Sequence, residues 1–128
     1  MLKKLCLLNG TSGDEDCVRD FIIREIQDYC EWHVDALGSV IAYKKGRKTP
    51  LKKVMLSAHM DEVGFIITHI TEDGYLKFAP VGGIDPRAVI DRDIKNREIN
   101  GDIGAKAVHL ISDDEKKTAP DFSKLYID

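Results

Sequence analysis

The segment Val54-Met55-Leu56-Ser57-Ala58, running into His59-Met60-Asp61-Glu62-Val63-Gly64, constrains the fold more than any other part of the chain. Residues that are nearly all apolar in succession suit a strand covered on both faces, whereas strict alternation suits one with a wet face. The pattern predicts a central strand of an α/β sheet over residues 53–59, with His59 at its carboxyl end. That is the end where open α/β sheets gather ligands and catalytic groups. An imidazole there can bind a divalent cation through one nitrogen while a carboxylate holds the other N–H, setting tautomer and ring orientation. His59 is therefore a candidate metal ligand, and Asp61, two residues on, is placed to be such a carboxylate.

A His-x-Asp triplet says little by itself in a chain with 4 histidines and 15 aspartates. His33-Val34-Asp35 has the same spacing, yet it sits in an alternating segment beside Glu31 and Trp32, where a partly exposed structural histidine is the ordinary reading. His69 lies inside one expected strand and His109 near the end of another, neither with a carboxylate at a ligand-like spacing. Nor does one histidine make a site. Catalytic zinc needs three or more ligands and an open position, and a two-metal centre needs a bridging carboxylate besides.

The rest of the chain supplies context. Thr11-Ser12-Gly13-Asp14-Glu15 reads as a helix start, with Ser12 as N-cap and Glu15 completing a capping box. Val18, Phe21, Ile22, Ile26 and Tyr29 then form an apolar stripe, and the helix should end near Tyr29 or Cys30. Trp32 to Ala36 and Val40 to Tyr43, joined through Leu37-Gly38-Ser39, predict an antiparallel pair. Beyond Gly64 the segments shorten. Strands are expected at Phe65–Ile70 and Tyr75–Phe78 around a Thr71-Glu72-Asp73-Gly74 turn, then at Ile94–Ile99 and Ile103–Ile111 around Asn100-Gly101. Ser112 with Glu115 is a possible short cap, interrupted by Thr118-Ala119-Pro120.

Composition excludes several functions. At 128 residues, 43% hydrophobic and 32% charged, with no apolar run approaching a bilayer span, the chain reads as globular with no membrane partner. Met1 to Leu8 is too short and too soon broken by Asn9-Gly10 for a signal peptide, so a cytoplasmic protein is expected. A net charge of -3 removes the footprint of phosphate-backbone binding, so no nucleic acid is expected. Cys6, Cys17 and Cys30 lack any C-x-x-C pair and suit reduced, packed thiols. The lysines and arginine between Lys44 and Lys53 suit a solvated loop.

His59-Met60-Asp61-Glu62-Val63-Gly64-Phe65, with Asn9-Gly10-Thr11-Ser12-Gly13 upstream and Val81-Gly82-Gly83 downstream, resembles the tetrahedral metallo-aminopeptidase family. Members also carry the labels glutamyl or deblocking aminopeptidase, and some endoglucanase. The similarity extends through Asp35-Ala36-Leu37-Gly38, Gly104 to Leu110, and Leu125-Tyr126-Ile127-Asp128. Ser39 stands where the family usually has asparagine. The resemblance implies a partial doubly wound aminopeptidase-type α/β catalytic domain in residues 1–66. Residues 67–128 would be part of an inserted β-rich domain of PDZ-like or β-barrel type.

It further implies a hydrolase with two divalent metal ions, zinc or cobalt, that removes N-terminal residues from peptides and assembles as a homo-oligomer. His59 is similar to the first metal ligand of that family and Asp61 to its orienting catalytic carboxylate. Glu62 is not assigned as the base. The family's bridging aspartate, catalytic glutamate, other carboxylate ligands and distal histidine have no counterparts in these residues. The 128 residues alone are therefore expected to be a truncated, inactive part of the enzyme. Two other readings are a glycosidase, which would need two carboxylates flanking a sugar ring, and a non-catalytic oligomerisation or binding fragment working through exposed sheet edges.

Overall fold

The computed structural model describes residues 1–49, 51–96, 99–106, 112 and 119–128. The chain is of α/β type and divides into two compact units, Met1–Glu62 and Val63–Asp128. Residue 66 lies inside a strand of the second unit.

The first unit opens with a four-residue helix, α1 (Leu2–Leu5), and continues into α2 (Asp16–Ile26). The expected capping box does not form. Glu15 occupies the N-cap position without a side-chain cap bond. Its carboxylate instead accepts the Gly13 N–H at 2.8 Å. The cause is local: the Asp14 N–H closes a turn on the Thr11 carbonyl at 2.8 Å, which postpones the helix and leaves Ser12 ahead of it. Val18 and Phe21, three apart on one face, are the buried residues of α2. Tyr29 falls past the helix and is exposed, with the Lys44 ammonium 5.6 Å from its ring centroid.

The expected hairpin is present. β1 (Glu31–Val34) pairs antiparallel with β2 (Val40–Tyr43), Val34 opposite Val40 and Glu31 opposite Tyr43. Asp35 closes its turn, one carboxylate oxygen accepting the Leu37 and Ser39 N–H groups, each at 2.9 Å. Gly38 supplies the positive φ of 88° that the turn demands. Ser39 takes part through its backbone N–H, and its side chain also bonds the Asp35 carboxylate.

The central strand predicted over 53–59 does not form. Residues 53–60 belong to no strand, and Val54, Met55 and Leu56 are 86%, 88% and 93% exposed. A strand covered on both faces is defined by its neighbours. The described residues give this run neither a ladder for its N–H and C=O groups nor cover for its side chains. Backbone pairing begins only at Glu62, which forms an isolated parallel bridge with Thr11.

Among the described residues the second unit forms a five-stranded antiparallel sheet in the order β3 (Gly64–Ile70), β4 (Leu76–Val81), β7 (Tyr126–Ile127), β6 (Ile99–Gly104) and β5 (Asp93–Asn96). β3 and β4 flank the expected turn, in which the Gly74 N–H reaches the Thr71 carbonyl at 3.0 Å. β5 and β6 form a second hairpin. Here the Asn100-Gly101 turn reading fails, since both residues are inside β6, opposite Lys95 and Ile94. Gly101 is needed for a different reason. A Cβ there would lie 2.8 Å from Ile127 Cγ2 and 2.9 Å from the Asp128 carbonyl oxygen, against β7 (Tyr126–Ile127). At Gly104 a Cβ would meet the Tyr126 ring at 2.5 Å. The expected extension of β6 to Ile111, His109 and the Ser112–Glu115 cap lie wholly or partly outside the described residues.

Phe78, Ile103, Leu125 and Ile127 form the core of this unit, Ile103 and Leu125 being 1% and 0% exposed. Phe65 and Phe78 meet edge to face with centroids 4.8 Å apart, and Phe122 stands about 6 Å from both.

Candidate functional site

The chain brings His59 and Asp61 together. Nδ1 of His59 is 3.1 Å from an Asp61 carboxylate oxygen and 2.9 Å from the Asp61 carbonyl oxygen. An ionised carboxylate and a carbonyl can only accept, so this geometry puts the ring proton on Nδ1. Because residues 59–61 are not held in a strand ladder, the segment can fold back on itself, bringing the ring to the next-but-one residue. The ring is open to solvent, its side chain 85% exposed against 42% for Asp61.

The other Asp61 oxygen accepts the Ser12 hydroxyl at 2.5 Å, a length typical of a charge-assisted O–H···O bond. Ser12 holds the Asp61 carboxyl below its usual carboxylate value, and the His59 contact adds to this. Reading the sequence assigned Ser12 to the helix cap and missed this contact. The only signal for it was the presence of Asn9-Gly10-Thr11-Ser12-Gly13 in the same family pattern as the His59 segment.

Glu62 joins the two segments. Its N–H donates to the Gly10 carbonyl at 2.7 Å, its carbonyl accepts the Ser12 N–H at 3.3 Å, and its carboxylate accepts the Gly10 N–H at 3.2 Å. Glycine is required at position 10, because a Cβ there would lie 2.7 Å from Val18 Cγ2 and 3.5 Å from the Met60 carbonyl oxygen.

His33 and His69 are each held in a strand ladder. His33 faces Ile41 across the hairpin, and the Asp35 carboxylate is taken up by its turn. The Ser39 N–H, foremost, lowers the Asp35 pKa, with burial opposing, and His33 acts on it only through its charge. His69 pairs with Lys77 between β3 and β4. His59 suits a single metal ligand, with a solvent-facing ring and a fixed tautomer. Among the described residues no three His, Cys, Asp or Glu side chains are grouped to hold a cation. They offer a position for one ligand and fall short of a metal centre.

Residues 38–128 match the M42 glutamyl aminopeptidase family. The lysyl aminopeptidase of Pyrococcus furiosus is 37% identical over 116 residues, covering 86% of this chain and 33% of that protein. Among solved structures, an endoglucanase from Thermotoga maritima is 40% identical with a TM-score of 0.83, covering all of this chain and 37% of its own. The TET1 peptidase of Pyrococcus horikoshii, which can assemble into a tetrahedron or a large octahedral shell, is 39% identical with a TM-score of 0.79, over 99% and 38%. The chain thus spans well under half the length of the relatives it matches. With a family match over most of its residues and structural agreement over nearly all of them, the chain belongs to the M42 glutamyl aminopeptidase family.

Proposed function

We propose that this chain provides the first metal-ligand position of a two-metal aminopeptidase that hydrolyses N-terminal residues from peptides. The observation that supports it is the His59–Asp61 contact in a chain that belongs to a family of aminopeptidases. In this reading Met1–Glu62 is a piece of a doubly wound catalytic domain and Val63–Asp128 is part of the β-rich insert. His59 offers Nε2 to a divalent cation, zinc or cobalt, while Asp61 keeps the proton on Nδ1 and fixes the ring plane. A pair of such cations, when bound, supplies the Lewis acid and activates the water for peptide hydrolysis. The whole protein works in the cytoplasm as a homo-oligomer, in keeping with the shells formed by the TET1 relative.

A glycosidase reading finds no support in the carboxylates next to His59. Asp61 is occupied by Ser12 and His59, and Glu62 by the Gly10 N–H, so neither stands ready as an acid or a nucleophile across a sugar ring.

Zinc or cobalt titrated into the 128-residue chain should shift the His59 ring resonances, and an unchanged ring at saturating metal would sink the ligand assignment. With a chromogenic aminoacyl substrate the same sample should show no turnover. Rates matching those of a full-length relative would overturn the partial-site reading.

A further inference from the structure

We propose that Ser12 is a positioning residue for His59, acting through Asp61. This rests on the reading of His59 as a metal ligand and extends it by one side chain. Asp61 uses one carboxylate oxygen for His59 Nδ1 and the other for the Ser12 hydroxyl, so the two bonds fix the carboxylate at both oxygens. A carboxylate held at one oxygen can rotate about its Cβ–Cγ bond, and a ring that follows it loses its aim. Held at both oxygens, it presents a fixed acceptor to Nδ1 beside the Asp61 carbonyl oxygen at 2.9 Å, and the two acceptors together favour the Nδ1–H tautomer, with the Nε2 lone pair directed outward.

The backbone around Ser12 is prepared for this. Its own N–H donates to the Glu62 carbonyl at 3.3 Å, and the Glu62 N–H and carboxylate both engage Gly10. The segments carrying Ser12 and Asp61 are therefore joined on either side of the side-chain bond. The link spans 49 residues of sequence, and α2 and the β1–β2 hairpin lie between its ends. Ser12 is exposed and outside α2, so a hydroxyl whose only purpose was helix capping would have no cause to reach Asp61.

The test is the tautomer of His59, read from the ring 15N shifts of the metal-free 128-residue chain in alkaline buffer, where an ordinary imidazole is neutral. The parent chain should show the proton on Nδ1. Ser12→Ala should reduce the Nδ1–H fraction, Ser12→Thr should restore it, and Asp61→Asn should reduce it at least as far as Ser12→Ala. Zinc affinity should fall several-fold in Ser12→Ala, short of the roughly 10–100-fold loss usual when the orienting partner itself is removed. Amide shifts of α2 and the β1–β2 hairpin report whether each variant keeps its fold. A tautomer unmoved by Ser12→Ala in a folded chain overturns the proposal. If Ser12→Ala moves the tautomer but zinc leaves the parent ring untouched, the positioning contact stands and the ligand reading falls, so the two failures are distinct.

Discussion

Two regions of this chain carry the same three-residue spacing, His33-Val34-Asp35 and His59-Met60-Asp61, and they fold to different ends. In the first, the histidine is committed to a strand ladder and the aspartate turns away to receive two backbone N–H groups of a hairpin. In the second, no ladder holds the backbone, and the aspartate receives the imidazole on one oxygen and a distant serine on the other. Whether the aspartate of such a triplet meets its histidine is decided by what else competes for the carboxylate.

The most severe way to break this contrast is to remove each histidine in turn. His59→Ala should abolish the zinc-induced shifts, whereas His33→Ala should leave them intact; equal effects, read by NMR titration, would erase the distinction. Next come the aspartates. Asp61→Asn should weaken zinc binding by about 10–100-fold. Asp35→Asn should leave zinc binding unchanged and instead speed hydrogen exchange at the Leu37 and Ser39 amides.

A smaller effect is expected at Gly10. An alanine methyl there runs into Val18 Cγ2, so Gly10→Ala should displace the backbone that Glu62 clamps and weaken zinc binding several-fold, measurable by calorimetry. It should leave the β1–β2 amide shifts in place.

Acid should have the smallest effect, and in the same direction at both sites. Asp61 and Asp35 are both held below the usual carboxylate value, Asp61 by the Ser12 hydroxyl first and Asp35 by the Ser39 N–H first. Each contributes its full stabilisation above the unfolded carboxylate value and loses it as pH falls through the lowered native one. Carboxyl shifts followed from neutral pH downward should therefore show both groups titrating below an ordinary aspartate. A normal midpoint for Asp61 alone would mean that its two partners do not hold it in solution.

What could be read in advance depended on distance along the chain. The β1–β2 hairpin was legible because alternation and turn chemistry sit within a dozen residues, and His59 with Asp61 because the partners are neighbours. Ser12 was misassigned because its partner is 49 residues away, while a plausible local role was at hand. Asn100-Gly101 looked like a turn for the same reason: the close approach of β7 that requires Gly101 comes from the far end of the second unit. The strand expected over 53–59 failed because apolar composition states what a segment needs and cannot supply the neighbours that satisfy it.

That same run has a practical consequence. Val54, Met55 and Leu56 stand in open solvent with their backbone outside any ladder, the pattern from which chains begin to pair edge to edge and precipitate. Lys52 and Lys53 immediately precede them, and two like charges there would oppose the in-register stacking of identical copies. Like charges at these two positions would then work against self-association of the exposed run. Replacing these two lysines with neutral residues should lower the concentration at which the protein stays in solution.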